Sequence, residues 1–133
     1  MSRILIAEDD PHILRVISLW LSRQGHEIIE ARNGTVALEL FAVHKPDILV
    51  TDINMPGLDG IELLDMLAQT GHEPRGIVVL TNRWDHREIG EKIARRNVHV
   101  VPKPFSPSSL AALIEELAAD HVGAVDAADA RSS

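Results

Sequence analysis

Five short apolar runs alternate along the chain with segments whose apolar residues recur at helical spacing. The runs are Arg3–Ala7, Glu27–Ala31, Ile48–Thr51, Ile77–Thr81 and Val98–Val101. Short apolar, β-branched runs of this length suit strands buried in a parallel sheet. The first helical segment opens with Asp10 as a cap and Pro11 at the first helical position, and places Ile13, Ile17 and Leu21 on one face. The second begins near Gly34 and carries Ala37, Leu40 and Phe41. The third follows Asp59-Gly60 with Leu63, Leu64 and Leu67. The fourth, around His86–Arg96, offers only Ile89 and Ile93 as its stripe. The fifth begins at Ser106-Pro107 and shows Leu110, Leu113, Ile114 and Leu117, the cleanest amphipathic pattern in the chain. Trp20 lies at helical spacing from Val16 and Ile17 and reads as core packing.

Strand–helix alternation of this kind predicts an α/β fold, a doubly wound parallel sheet covered by helices on both faces. Right-handed crossovers then bring the C-terminal end of every strand to one edge, where open α/β sheets bind their ligands. The apolar stripe fades after Ala119. Residues 1–119 are therefore expected to form one domain, and 120–133, rich in Ala, Asp and Ser, a flexible tail or linker.

Composition narrows the function classes. The chain has 133 residues, 45% of them apolar, enough for one core but too short for an eight-fold barrel. Twenty acidic against thirteen basic residues give a net charge of −7, a poor basis for nucleic-acid binding. The basic group Lys92, Arg95 and Arg96 reads as a solvated helix face beside Glu88 and Glu91. With no cysteine, disulfide and thiol chemistry are excluded. No run is long enough to span a bilayer, and the start of the chain lacks a signal-peptide pattern, so the expected location is the cytoplasm. The seven histidines show no metal-type pairing, and solvated or capping roles are expected for them.

The residues that end the predicted strands supply the chemistry. Strand one runs into Glu8-Asp9-Asp10, strand three into Asp52, strand four ends in Thr81, and strand five leads to Lys103. Taken singly, Asp10 is a helix cap, Asp52 could cap a turn, and Lys103 is a solvated charge. Taken together on one edge, they form a cluster of carboxylates with one hydroxyl and one ammonium. Carboxylates so close raise one another's pKa, and a divalent cation relieves that repulsion. An all-oxygen site of carboxylates, a backbone carbonyl and water suits Mg²⁺.

Four segments carry a family resemblance: Ile4-Leu5-Ile6-Ala7-Glu8-Asp9-Asp10-Pro11, the stretch from Pro46 to Gly60, Val79-Leu80-Thr81, and Lys103-Pro104-Phe105. Over about residues 3–118 the chain resembles the receiver domain of two-component response regulators. The resemblance implies a flavodoxin-like fold, a five-stranded parallel sheet in the order 2-1-3-4-5 with five helices. It implies that Asp52 accepts a phosphoryl group. It implies that Asp9 ligates Mg²⁺ directly, that Glu8 acts through water, and that the Asn54 carbonyl completes the metal site. Thr81 would bond the phosphoryl oxygens and Lys103 would pair with them, with a cis peptide between Lys103 and Pro104. The implied partners are a sensor histidine kinase or histidine phosphotransfer protein and a downstream target or output domain. The implied output surface is the fourth helix, fifth strand and fifth helix, through which a homodimer could also form. Such a module is a phosphoacceptor that assists its own phosphorylation and dephosphorylation, not an enzyme with turnover.

Three positions depart from the family pattern. Val100 stands where an aromatic is usual, Asn82 stands where a small residue usually follows Thr81, and Pro102 precedes Lys103. Val100 reads as an ordinary strand residue and Pro102 as local stiffening. Two other functions stay open at this stage. One is a docking domain of the same fold that acts without phosphorylation. The other is an Mg²⁺-dependent phosphatase with an aspartyl nucleophile. Such phosphatases place a second Asp two residues after the first as proton donor, and here that position is Asn54.

Overall fold

The computed structural model describes residues 2–55, 57–81 and 98–132, with side chains of the last helix described as far as 119. Strands β1 (Arg3–Ala7), β2 (Glu27–Ala31), β3 (Ile48–Asp52), β4 (Gly76–Thr81) and β5 (Val98–Pro102) alternate with helices α1 (Pro11–Arg23), α2 (Gly34–His44) and α3 (Gly60–Ala68). Helix α4 (Pro107–Ser132) closes the chain and answers to the fifth helical pattern of the sequence. The fourth pattern, His86–Arg96, lies outside the described residues, as do Asn82 and the Lys92, Arg95 and Arg96 group.

All five predicted strands are present and join one parallel sheet in the order β2-β1-β3-β4-β5. Pro102 ends β5, an edge strand, where the missing N–H interrupts no inner ladder.

Alternate strand residues face opposite sides of the sheet. Ile4, Ile6, Ile48, Val50, Val78 and Leu80 face α1 and α4, meeting Leu14, Ile17 and Leu21 from one and Leu110, Ile114 and Leu117 from the other. Leu5, Ala7, Leu49, Ile77 and Val79 face α2 and α3, meeting Ala37, Phe41, Leu63, Leu64 and Leu67. With both faces covered, β1 after Arg3, β3 and β4 are buried along their whole length, and polar residues enter only at their C-terminal ends, as Thr51, Asp52 and Thr81.

Local signals fix the helix starts. Asp10 accepts from the His12 and Ile13 N–H groups at 2.9 and 3.3 Å, with Pro11 beginning the helix. Asn33 accepts from Val36 N–H at 2.8 Å. Asp59 and Glu62 form a reciprocal capping box at the start of α3. Trp20 departs from the sequence reading. It is 38% exposed, on a flank of α1 with Val16 and Leu19, because Leu14, Ile17 and Leu21 already fill the buried stripe.

Candidate functional site

The site forms where β1, β3, β4 and β5 end. Backbone bonds carry the ladder past the strand ends. Glu8 N–H reaches the Ala31 carbonyl at 3.0 Å, Ile53 N–H the Leu80 carbonyl at 2.8 Å, and Lys103 N–H the Thr81 carbonyl at 2.6 Å. Residues far apart in sequence are thus held side by side by sheet geometry. The Lys103–Pro104 peptide is cis, as the resemblance implied.

The Lys103 ammonium sits between two buried carboxylates. It lies 3.1 Å from Glu8 Oε2, 3.3 Å from Glu8 Oε1 and 3.2 Å from Asp52 Oδ2. Glu8, Asp52 and Thr81 are buried, whereas Asp9 is exposed at the rim. Carboxylate oxygens of Glu8, Asp9 and Asp52 lie within 4.8 Å of one another. The backbone N–H of Asn54 donates to Asp52 Oδ1 at 3.1 Å, and that of Asp10 donates to Glu8 Oε1 at 3.2 Å.

Burial dominates the electrostatics. It pushes the Glu8 carboxyl up to about 7, with Asp52 adding to the effect and Lys103 opposing it. Burial also raises Asp52, against the downward pull of the Asn54 N–H and Lys103. For Lys103, burial works to lower the value, but Asp52 and then Glu8 outweigh it and hold the ammonium above the ordinary lysine range. Among the described residues, one lysine faces two buried acids with a third at the rim, an excess of carboxylates over cations. Glu8 Oε2 shows the same deficit. It makes no hydrogen bond among the described residues, although Lys103 stands beside it as an ion-pair partner. Such a donor set fits a hard divalent cation.

The structure therefore brings Glu8, Asp9, Asp52 and Lys103 together. Asn54 joins through its N–H, and Thr81 ends the neighbouring strand opposite Pro102. Asp10 keeps its capping role. Val100 is half-buried in β5 and packs against the core under α2 and α3. Sequence reasoning missed an open groove beside Lys103 that His12, Ile13, Val16, Phe105 and Pro107 line. Ile13 and Val16 were legible only as a helical stripe, and nothing local shows that the β5–α4 loop comes to lie against them.

Comparisons with known proteins agree with this geometry. A family model described as "Response regulator receiver domain" matches residues 4–115. The transcriptional regulatory protein PdtaR of Mycobacterium tuberculosis is 40% identical over 116 residues, which cover 85% of this chain and 55% of that protein. The response regulator GtcR of Aneurinibacillus migulanus is 34% identical over 112 residues, 84% of this chain and 46% of that protein. The chain thus spans about half the length of the curated relatives it matches. Among solved structures, the N-terminal domain of an uncharacterized protein from Wolinella succinogenes superimposes with a TM-score of 0.82 at 31% identity, covering 92% of this chain and 98% of that one. The receiver domain of a Francisella response regulator gives 0.80 at 27% identity, with 88% and 96% covered. With a family match over most of its length, relatives above 30% identity and an acid–lysine cluster at the predicted sheet edge, the chain belongs to the response regulator receiver domain family.

Proposed function

We propose that the chain is a phosphoacceptor switch in which Asp52 takes a phosphoryl group from a phosphohistidine donor. The observation that carries this reading is the Lys103 ammonium held 3.1–3.3 Å from Glu8 and Asp52 within a three-carboxylate cluster. An Asp52 oxygen attacks phosphorus, the P–N bond to the donor imidazole breaks, and an acyl phosphate forms. Phosphoryl transfer depends on positioning and charge neutralisation more than on covalent help from the protein. Lys103 supplies a fixed positive charge beside the attacking oxygen. The Asn54 N–H fixes the orientation of the Asp52 carboxylate. The Thr81 hydroxyl is assigned to the incoming phosphoryl oxygens.

Glu8, Asp9, Asp52 and the Asn54 carbonyl are the residues that would hold Mg²⁺. When bound, the ion neutralises charge on the carboxylates and on the transferring group. The phosphorylated side chain carries roughly two negative charges near neutral pH, and Lys103 would turn from Glu8 and Asp52 toward them. That change biases the surface formed by the predicted fourth helix, β5 and α4, which would contact a downstream protein, an output domain or a second copy. The donor would be a sensor histidine kinase or histidine phosphotransfer protein, the compartment the cytoplasm, and residues 120–133 a linker or tail.

Incubation with acetyl phosphate, with and without Mg²⁺, followed by intact mass, tests this reading. One phosphoryl adduct that requires Mg²⁺ and disappears in Asp52→Asn is expected. An adduct that persists in Asp52→Asn moves the acceptor elsewhere.

A further inference from the structure

The loop that follows Asp52 and carries Asn54 meets two glycines from different helices, Gly60 at its start, against Asp52 and Ile53, and Gly34 further along, against Leu58. A Cβ placed on Gly60, the first residue of α3, would lie 2.6 Å from the Asp52 carbonyl oxygen and 2.8 Å from Ile53 Cα. A Cβ placed on Gly34, the first residue of α2, would lie 2.3 Å from the Leu58 carbonyl oxygen and 2.9 Å from Leu58 Cβ. Neither glycine has a positive φ, so any L-residue could adopt its backbone conformation. What each position requires is space. At Gly34 the nearest atom is backbone, which no rotamer change can move aside.

The contacts bear on the site through short connections. Gly60 N–H donates to the Ile53 carbonyl at 3.1 Å, and Asn54 N–H donates to Asp52 Oδ1 at 3.1 Å. Ile53 and Met55 are buried in the core under α2 and α3. Helix α2 is itself fixed by the Asn33 cap and by Phe41. The contact from Gly34 to Leu58 is thus a stop against which the far part of the loop rests.

We infer that Gly34 is a positioning residue for the phosphoacceptor site: through its backbone contact with Leu58, α2 sets the height of the loop that presents Asn54 beside Asp52. The inference rests on the phosphoacceptor reading, since without an ion or phosphoryl group the loop has nothing to position. A methyl group at Gly34 must displace the loop or the helix by about 1 Å to restore ordinary contact distance. Displacements of that size at a catalytic group can lower rates by as much as about a hundredfold. Helix propensity alone points the other way, because Ala is favoured over Gly by up to about 1 kcal/mol.

Three variants test the inference. Gly34→Ala pushes the loop. Leu58→Gly removes the side chain whose Cβ faces Gly34 and which packs on the core under α2 and α3, so it slackens the same loop without adding an atom in the contact. Gly76→Ala is the control, since the nearest atoms its Cβ would meet belong to the Leu117 side chain, the closest at 2.9 Å, at the start of β4, the strand end opposite the site. The readouts are the Mg²⁺ dissociation constant by calorimetry, hydrogen exchange of the Asn54 and Gly60 amides in metal-free protein, and Tm. Gly34→Ala and Leu58→Gly are each expected to weaken Mg²⁺ binding about fivefold or more and to speed exchange at both amides. Gly76→Ala should leave both readouts within about twofold of wild type even where its Tm falls further. If Gly34→Ala does not fold, Leu58→Gly against Gly76→Ala decides alone. Unchanged binding and exchange in the loop variants, or equal changes in the control, overturn the inference. Wild-type protein that binds no Mg²⁺ overturns the phosphoacceptor reading as well, so the two failures are distinguishable.

Discussion

Among the described residues, Glu8 is the one whose carboxyl shifts furthest on folding. Its carboxyl is fully buried and rises to about 7 from an ordinary value of 4.5. Between these values the folded chain holds a proton that the unfolded chain has lost, so metal-free stability falls as pH rises through this window. The loss is nearly complete about one pH unit above 7 and amounts to about 3 kcal/mol. Asp52, also raised, adds in the same direction. Lys103, held above its ordinary 10.5, contributes a stabilisation that is constant here and is lost only as pH rises beyond that value. Metal-free protein should therefore show a lower Tm at pH 8 than at pH 5. Glu8→Gln should remove most of the difference, and added Mg²⁺ should raise Tm more at pH 8. A wild-type Tm that climbs from pH 5 to pH 8 contradicts the account. Lys103→Ala removes the one ammonium shared by Glu8 and Asp52, so labelling by acetyl phosphate should slow about a hundredfold or more. A labelling time course checks this. The identities of these residues were legible in the sequence, because each ends a strand or follows one. The upward direction of the carboxyl shifts was also legible, from mutual repulsion, but their larger cause, burial, was not, because it depends on packing that no local pattern states.

Among the elements, the inner strands β1, β3 and β4 were legible because burial on both faces makes them mostly apolar, and the half-buried edge strands β2 and β5 because Ile28-Ile29 and Val98, Val100 and Val101 still form short apolar runs. Helix starts were legible through Asp10-Pro11 and Asp59-Gly60. Tertiary polar contacts were not. His26, expected to be solvated or capping, is buried at the start of β2. Its Nδ1 accepts the Ser2 N–H at 3.0 Å, and its Nε2 meets Glu115 of α4. Those partners lie 24 and 89 positions away, beyond any helical or strand period. His26→Phe leaves the Ser2 N–H buried without an acceptor and should cost about 1–3 kcal/mol by urea denaturation. Phe41 joins α2 to the α3 side of the sheet and is fully buried. Phe41→Ala should cost about 3–5 kcal/mol, read in the same denaturation series. A cost below 1 kcal/mol for Phe41→Ala would place that core elsewhere. Trp20 was misread because helical spacing gives a stripe without saying how wide a stripe the sheet covers.

For the whole molecule, the alternation of elements implied a parallel sheet with a common functional edge, and the family resemblance supplied its order, β2-β1-β3-β4-β5. That edge gathers Glu8, Asp52 and Lys103 from three strands into one charged cluster, with Asp9 at its rim. The continuation of α4 as one helix to Ser132 was not legible, since its apolar stripe ends near Ala119 while the backbone does not. The groove between α1 and the β5–α4 loop was hidden for a related reason, as it arises from elements at opposite ends of the chain. The central claim is that this edge makes Asp52 the acceptor of a phosphoryl group. Borohydride reduction of the labelled protein, which converts an aspartyl phosphate to homoserine, followed by peptide mass spectrometry, tests it most directly. Homoserine at position 52, formed only in samples labelled with Mg²⁺ present, is the predicted result. Homoserine at another position, or an adduct that borohydride leaves intact, contradicts it.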